Sequence, residues 1–242
     1  MRKIFVFLML CLSVSVQAQD TLILVDGFYY KFSGAEAEVA WCGDTEYMGK
    51  VVIPSTVTHK GRKYSVTGIR EDFSRGYNFT SITIPASVTS LRTGAFSYGS
   101  LTSIDVESEN TNYSSSDGVL FNKNKTSLLC YPGEKKGDYV IPNSVTTIEK
   151  RAFLNSWHLT SVIIPESVTT IGMNAYSRCE GLTFITCLNP VPVDISNQDV
   201  FSYVNKKACT LKVPASAVSA YKKADVWKEF KIISITEQDN SR

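Results

Sequence analysis

Leu159-Thr160-Ser161-Val162-Ile163-Ile164-Pro165-Glu166-Ser167-Val168-Thr169-Thr170-Ile171-Gly172-Met173-Asn174-Ala175-Tyr176 is the stretch that decides the fold, because the chain keeps returning to it. Its Ile-Pro-x-Ser-Val-Thr centre recurs at Ile84-Pro85-Ala86-Ser87-Val88-Thr89 and at Ile141-Pro142-Asn143-Ser144-Val145-Thr146, with a weaker copy at Ile53-Pro54. In each full copy an apolar run precedes the proline and an Ala-aromatic pair follows ten residues after it: Ala95-Phe96, Ala152-Phe153 and Ala175-Tyr176. A phrase that repeats together with its surroundings is a structural unit rather than a short recognition motif, and units of this length stack into a solenoid.

Aligned on their prolines, the units begin at Phe79, Leu101, Lys136, Leu159 and Leu182, at separations of 22, 35, 23 and 23 residues. The regular lengths lie within the roughly 20 to 29 residues of leucine-rich repeats, and the apolar first, fourth and sixth positions of Leu159–Ile164 fit the Leu-x-x-Leu-x-Leu strand. One such strand per coil predicts a parallel sheet. Pro85, Pro142 and Pro165 stop it at the same place each time, since a residue without an N–H cannot continue the ladder. Val88 with Leu91, Val145 with Ile148 and Val168 with Ile171 then point inward on the return path. Each Ala-aromatic pair is expected to form a short turn of helix whose ring fills the wide side of the coil. Ser87, Ser144 and Ser167 suit hydrogen bonds to turn backbone better than nucleophilic chemistry. No coil buries its apolar face alone, so stability accumulates through neighbours.

The expectation is an α/β repeat: a leucine-rich-repeat solenoid of about five to six coils of 22–23 residues, with parallel strands, over residues 51–210. Two units are too long. Nine extra residues fit near 58–65 and make His59-Lys60-Gly61-Arg62-Lys63-Tyr64 a loop or hairpin tip. The 35-residue unit carries two short apolar runs around polar turn residues, which predicts a hairpin projecting from the solenoid near 107–131. Residues 19–50, with Tyr29, Tyr30, Phe32, Val39, Trp41 and Tyr47, read as a β-rich N-terminal cap. Residues 211–236 read as a helical C-terminal cap, in which Ser216 starts a helix through Ala224 and Trp227, Phe230 and Ile232 plug the last coil. Residues 237–242 form a tail.

Arg2-Lys3, the apolar run from Ile4 to Leu12 and then Val16-Gln17-Ala18 predict an export signal over residues 1–18. No segment reaches the roughly 20 apolar residues of a membrane-spanning helix. Loss of Arg2 and Lys3 takes the 25 basic residues to 23, equal to the 23 acidic ones. A neutral chain without a basic run lacks the footprint for phosphate backbones, so nucleic acid is excluded as a partner. Cys42, Cys130, Cys179, Cys187 and Cys209 remain, an odd and scattered set that reads as buried small hydrophobes, with one bridge among the last three left open.

The phrase Leu-Thr-Ser-x-Ile-Ile-Pro-x-Ser-Val-Thr-x-Ile-Gly-x-x-Ala-aromatic in Leu159–Tyr176 resembles the BspA-type leucine-rich repeat of bacterial surface proteins, common in Bacteroides and its relatives. Asp117-Gly118-Val119-Leu120-Phe121-Asn122-Lys123 and the ending Val213-Pro214, Tyr221-Lys222, Trp227 and Phe230 are similar to further segments of that family. The resemblance covers nearly all of the exported chain. It implies adhesion to host matrix proteins, coaggregation or host-cell contact, without selecting among those partners.

Catalytic motifs are missing from the sequence. Only His59 and His158 are available, without His-Glu-x-x-His or Cys-x-x-Cys spacing, and neither Gly-x-Ser-x-Gly nor a phosphate-cradling glycine loop is present. No cofactor or metal is expected. Between the last two apolar positions of each strand the solvent-facing residue is Thr83, Asp105, Val140, Ile163 and Thr186, preceded mainly by Thr and Ser. This hydroxyl-rich face, with one carboxylate and some apolar area, suits broad contact with a protein or glycan, or is an ordinary solvated sheet. The sequence predicts a monomeric, exported, non-enzymatic interaction module at the cell surface, secreted or periplasmic, binding a host or bacterial protein. Its candidate contacts are Thr83, Asp105 and Ile163 on the strand face, Lys60, Arg62, Lys63 and Tyr64 on the first insertion, and Asn122, Lys123, Asn124 and Lys125 on the second, because loops interrupting a repeat often carry binding. A glycan-binding alternative rests on Tyr77, Tyr98 and Tyr113. A hydrolase is the third class.

Overall fold

The computed structural model describes residues 21–40, 48–71, 73–74, 78–196 and 198–236. Residues 1–20, which hold the expected export signal, and Trp41, Cys42, Tyr47, Tyr77 and residues 237–242 lie outside them. The chain opens with an antiparallel meander, β1 (Ile23–Val25), β2 (Phe28–Ser33) and β3 (Glu36–Ala40). It then winds as a β-solenoid of about seven turns. On one face, β4 (Met48–Val52), β7 (Asn78–Ile84) and β9 (Ser103–Val106) run parallel, as do β13 (Gly137–Val140), β15 (Leu159–Ile164), β17 (Phe184–Cys187), β18 (Thr210–Val213) and β19 (Lys231–Ser234). The opposite side carries shorter strands. The hairpin β5 (Thr56–His59) and β6 (Arg62–Ile69) joins β3 and β8 (Ser90–Leu91), while β10 (Tyr113–Ser116), β11 (Val119–Asn122), β12 (Ser127–Cys130), β14 (Thr147–Ile148) and β16 (Thr170–Ile171) form a second back sheet.

Each coil follows from its residues. Leu159, Val162 and Ile164 are fully buried and Thr160 is exposed, so the Leu-x-x-Leu-x-Leu spacing does select the inward face. After the proline the chain turns through a four-residue bend, with the N–H of Val88, Val145 and Val168 donating to the carbonyls of Pro85, Pro142 and Pro165 at 3.2, 2.9 and 3.1 Å. The serine of each phrase ties that bend to the coil below. Ser87, Ser144 and Ser167 Oγ donate to the carbonyls of Val66, Lys125 and Val145 at 2.7, 2.9 and 2.8 Å. Two buried asparagines bind the same bends from the coil above: Asn110 Nδ2 donates to Pro85 O and Val88 O at 2.9 and 3.0 Å, and Asn189 Nδ2 to Glu166 O and Val168 O at 3.1 and 2.8 Å.

The third side of the coil differs from expectation. No helix forms at the Ala-aromatic pairs; the chain makes tight turns there, with Arg151 and Asn174 before the pair and Asn155 and Arg178 two residues beyond the ring at φ between 57° and 63°, and the equivalent Val200-Phe201 turn has Asp199 and Tyr203 at 48° and 67°. Two left-handed residues per turn leave no run of right-handed residues long enough for a helix. The rings do fill the coil, and they stack from one coil to the next. Tyr131, Phe153, Tyr176 and Phe201 lie nearly parallel at centroid separations of 5.0, 4.6 and 5.2 Å, close to the roughly 4.8 Å pitch between hydrogen-bonded strands. Trp227 and Phe230 meet the last ring edge-on at 5.4 and 5.0 Å.

Two further expectations change. The 107–131 insertion does not project: β10, β11 and β12 lie in the back sheet with β14 and β16, and Val119, Leu120 and Phe121 are core residues. Three consecutive apolar residues need cover on both faces, which a free hairpin lacks. Toward the C-terminus, Ser216 lies inside a 3-10 turn (Ala215–Ala217) and makes no capping bond, and the helix α1 (Val218–Tyr221) is only four residues long. The chain then rejoins the face sheet as β19, parallel to β18, so this segment builds another coil. The cysteines follow the expectation of buried small hydrophobes: Cys130, Cys179, Cys187 and Cys209 are free and buried, and the bridge left open among the last three does not form. Cys179 and Cys187 instead donate to Phe153 O and Asn189 Oδ1 at 3.1 and 3.3 Å.

Candidate functional site

Strand pairing sets the outer face in rows, because residues in register stand side by side about 4.8 Å apart. One row runs Val140, Ile163, Thr186, Lys212, Ile233, and the next runs Asp138, Ser161, Phe184, Thr210, Lys231. Val140 is 61% exposed, Phe184 46% and Ile233 39%, with Ile163 half-buried between them. The Lys212 ammonium lies 5.8 Å from the Phe184 ring centroid, and Asp138 accepts a 2.6 Å hydrogen bond from Thr160 Oγ1. Exposed apolar side chains are therefore spread across the parallel sheet, Val140 and Ile233 on its edge strands and Phe184 on its central one, with Asp138, Lys212 and Lys231 interspersed among them. Nothing in the fold needs Phe184 there: the matching positions of the other coils are all polar, with serine in three of them, Ser81, Ser103 and Ser161.

The three predicted strand-face residues are split. Thr83 and Asp105 pair in register on β7 and β9, next to Val52, whereas Ile163 lies on the five-stranded part. Between the two parts the β10–β11 turn packs on the edge of β9, where Ile104 N donates to Gly118 O at 2.8 Å and Val106 N to Ser115 Oγ at 3.0 Å.

The predicted loop residues belong to the back sheets. Lys60 and Gly61, at φ of 49° and 76°, make the two-residue turn between β5 and β6. Tyr64 packs on Phe32 with centroids 4.5 Å apart, His59 stacks on the same ring at 5.2 Å, and Arg62 lies over Tyr64 at 5.1 Å. Lys60, Arg62 and Lys63 are exposed, so this tip is basic. The second turn is bound to itself. Asn122 Oδ1 accepts from the N–H of Thr126 and Ser127 at 2.8 and 3.0 Å, Lys123 Nζ donates to the carbonyls of Ser108 and Asn110, and Lys125 N donates to Asn122 O; of the four, only Lys123 and Asn124 are exposed.

Sequence reasoning missed Phe184 and Ile233 as surface residues. A phenylalanine where sister coils carry serine was a readable signal; Ile233 was not, because β19 carries no Ile-Pro phrase. Of the aromatics singled out for glycans, Tyr98 is exposed, while the Tyr113 hydroxyl accepts from Leu91 N at 3.1 Å and donates to Thr89 O at 3.3 Å. The phrase serines are committed to backbone, and among the described residues no three His, Cys, Asp or Glu side chains gather as a metal would require. His158 Nε2 lies 3.1 Å from Glu134 Oε2.

The family described as BspA type leucine rich repeat region matches residues 48–128 and 130–235, in six copies. The chain belongs to that family. The six matched copies of the BspA-type repeat span the whole solenoid, including both long units. Leucine-rich repeat proteins are in general non-enzymatic and bind proteins. Among solved structures, a leucine rich cell surface protein from Faecalibacterium prausnitzii is 15% identical over 91% of this chain and 97% of its own, with a TM-score of 0.42. A leucine-rich repeat protein from Eubacterium ventriosum is 19% identical over 88% of this chain and 83% of its own, also with a TM-score of 0.42. The pneumococcal vaccine antigen PcpA is 15% identical over 90% and 99%, with a TM-score of 0.30. Among curated proteins none matches this BspA-type chain. No helix among the described residues is long and apolar enough to cross a membrane.

Proposed function

We propose that this chain is an exported, non-enzymatic adhesion module that binds a host or bacterial surface protein across the five-stranded outer face. The observation that carries the reading is Phe184, an exposed ring on the central strand of this face, in register with Ser161 and Thr210, with Ile163 on the neighbouring strand and Val140 and Ile233 exposed on the two edge strands. Exposed apolar side chains interspersed with charges suit a protein interface, and aromatic residues carry a large share of interface energy. The basic tip at Lys60, Arg62 and Lys63 is a secondary contact, acting on association rate more than on affinity. Residues 19–242, immobilised and exposed to host-matrix and bacterial-surface extracts, should capture a protein that a Phe184→Ser, Val140→Ser variant of unchanged melting temperature does not. Equal capture by both would remove the strand face from the account.

A second reading has its own observation. Trp157, 44% exposed, and Tyr203, 71% exposed with Arg178 stacked at 4.9 Å, stand with Tyr98 on the turn side of the solenoid. Exposed rings are platforms for sugars, so binding on a glycan array that is lost in Trp157→Ala but kept in Phe184→Ser would favour glycan capture.

A further inference from the structure

The long unit leaves a gap in the back of the solenoid. Elsewhere each coil ladders onto the last, with Arg92 N donating to Ile69 O, Glu149 N to Leu128 O and Gly172 N to Ile148 O at 2.9, 3.0 and 2.8 Å. Between β8 and β12 the ladder stops: β8 pairs with β6 alone, β12 pairs with β11 and β14, and Leu91 N turns to the Tyr113 hydroxyl. The gap is a cavity of about 160 Å³.

Its walls differ in chemistry. Leu91, Phe96, Leu120, Leu129 and Cys130 make an apolar floor. Burial pushes the Cys130 thiol from 9.0 up to about 12, so at neutral pH it is an uncharged part of that floor. At the rim stand Arg92, Lys150 and, against Gly94, Arg151, three cations facing two carboxylates, Glu149 and the Glu38 that contacts Arg92. Arg92 touches Glu38 through Nη2 alone, at 3.5 Å, which leaves its other nitrogens for a ligand. A cavity of about 150 Å³ lined by apolar side chains accommodates a benzene-sized body. The rim's single net positive charge matches a monoanion, and Glu149 repels a second negative charge.

We propose that this cavity binds a small monocarboxylate with an aryl or short branched-alkyl body, the carboxylate between Arg92 and Lys150 and the body on Leu91, Phe96 and Leu129. The site is independent of the strand face. The insertion then has a role besides continuing the core, since it creates the gap and supplies one wall.

Titration of the full chain with phenylacetate, followed through the methyl signals of Leu91, Leu120 and Leu129, tests this. Saturable shifts confined to those methyls are expected, with millimolar affinity. The neutral phenylacetamide and the variant Lys150→Gln should each bind about two- to fivefold more weakly, the range of a solvent-accessible ion pair. Leu129→Trp, which fills the cavity, should abolish the shifts. Absence of methyl shifts in the unaltered chain overturns the proposal whether or not Leu129→Trp folds, and so does equal binding of the acid and its amide.

Discussion

The ring of Tyr176 lies face to face with that of Phe153, centroids 4.6 Å apart and planes 16° apart, while its buried hydroxyl has no hydrogen-bond partner. Its neighbours in the stack, Phe153 and Phe201, carry no hydroxyl. Burying an unpartnered hydroxyl costs about 1 to 3 kcal/mol. Tyr176→Phe should therefore raise stability, by roughly 1 kcal/mol in urea unfolding, without altering the fold. A loss of stability would mean that the hydroxyl has a partner.

Asn110 has the opposite character. Fully buried, it donates to Pro85 O and Val88 O and accepts from the N–H groups of Asn112 and Tyr113 at 2.9 and 2.8 Å, so one side chain satisfies four backbone groups in two coils. Asn110→Ala orphans all four and should cost about 3 kcal/mol. Asn110→Asp keeps the two acceptor bonds but turns a carboxylate oxygen on two carbonyls, so it should not rescue stability. Denaturant midpoints of the two variants check this.

Gly118 sits at φ +70°, and a Cβ there would lie 2.8 Å from Ser103 Oγ and 3.1 Å from Ser103 Cα. Gly118→Ala should destabilise by about 1 to 3 kcal/mol through backbone strain and by forcing the β10–β11 turn off β9. The companion Ser103→Gly should recover part of the loss in the double variant.

The four buried thiols set an alkaline limit. Cys130 and Cys209 are pushed from 9.0 to about 12 by burial, so above pH 9 the unfolded chain releases protons that the folded chain retains. Stability is therefore complete below pH 9 and falls progressively between pH 9 and about 12. Buried Tyr131, Tyr139, Tyr176 and Tyr221, also shifted upward, add to the fall above pH 10. Unfolding midpoints at stepped pH should show this decline, and a thiol reagent at pH 8 should label none of these four cysteines until denaturant is added.

How much could be read beforehand depends on what repeats. Leu159, Val162, Ile164 and Tyr176 announce their burial because the same types recur every 22–23 residues, and their outcome is fixed by stacking on equivalent neighbours. The serines of the phrase were legible for the same reason. Asn110 and Asn189 escaped, as one lies inside the insertion and the other beyond the last phrase. The absence of helix at the Ala-aromatic pairs was hidden too, since it depends on left-handed conformations at Arg151, Asn155, Asn174 and Arg178, residue types that do not demand them. The candidate surface was half legible. Ile163 and Val140 follow from strand alternation, but the strand β19 that brings Ile233 beside Lys212 exists only through long-range pairing.

The most direct test of the strand-face account is quantitative capture of surface-extract proteins by residues 19–242 and by a Val140→Ser, Phe184→Ser, Ile233→Ser variant matched for melting temperature. The account predicts that the captured species fall at least about tenfold, the loss expected when a few exposed apolar side chains carry the binding energy. Capture undiminished in the variant, and lost instead when Lys60, Arg62 and Lys63 are replaced, would contradict it.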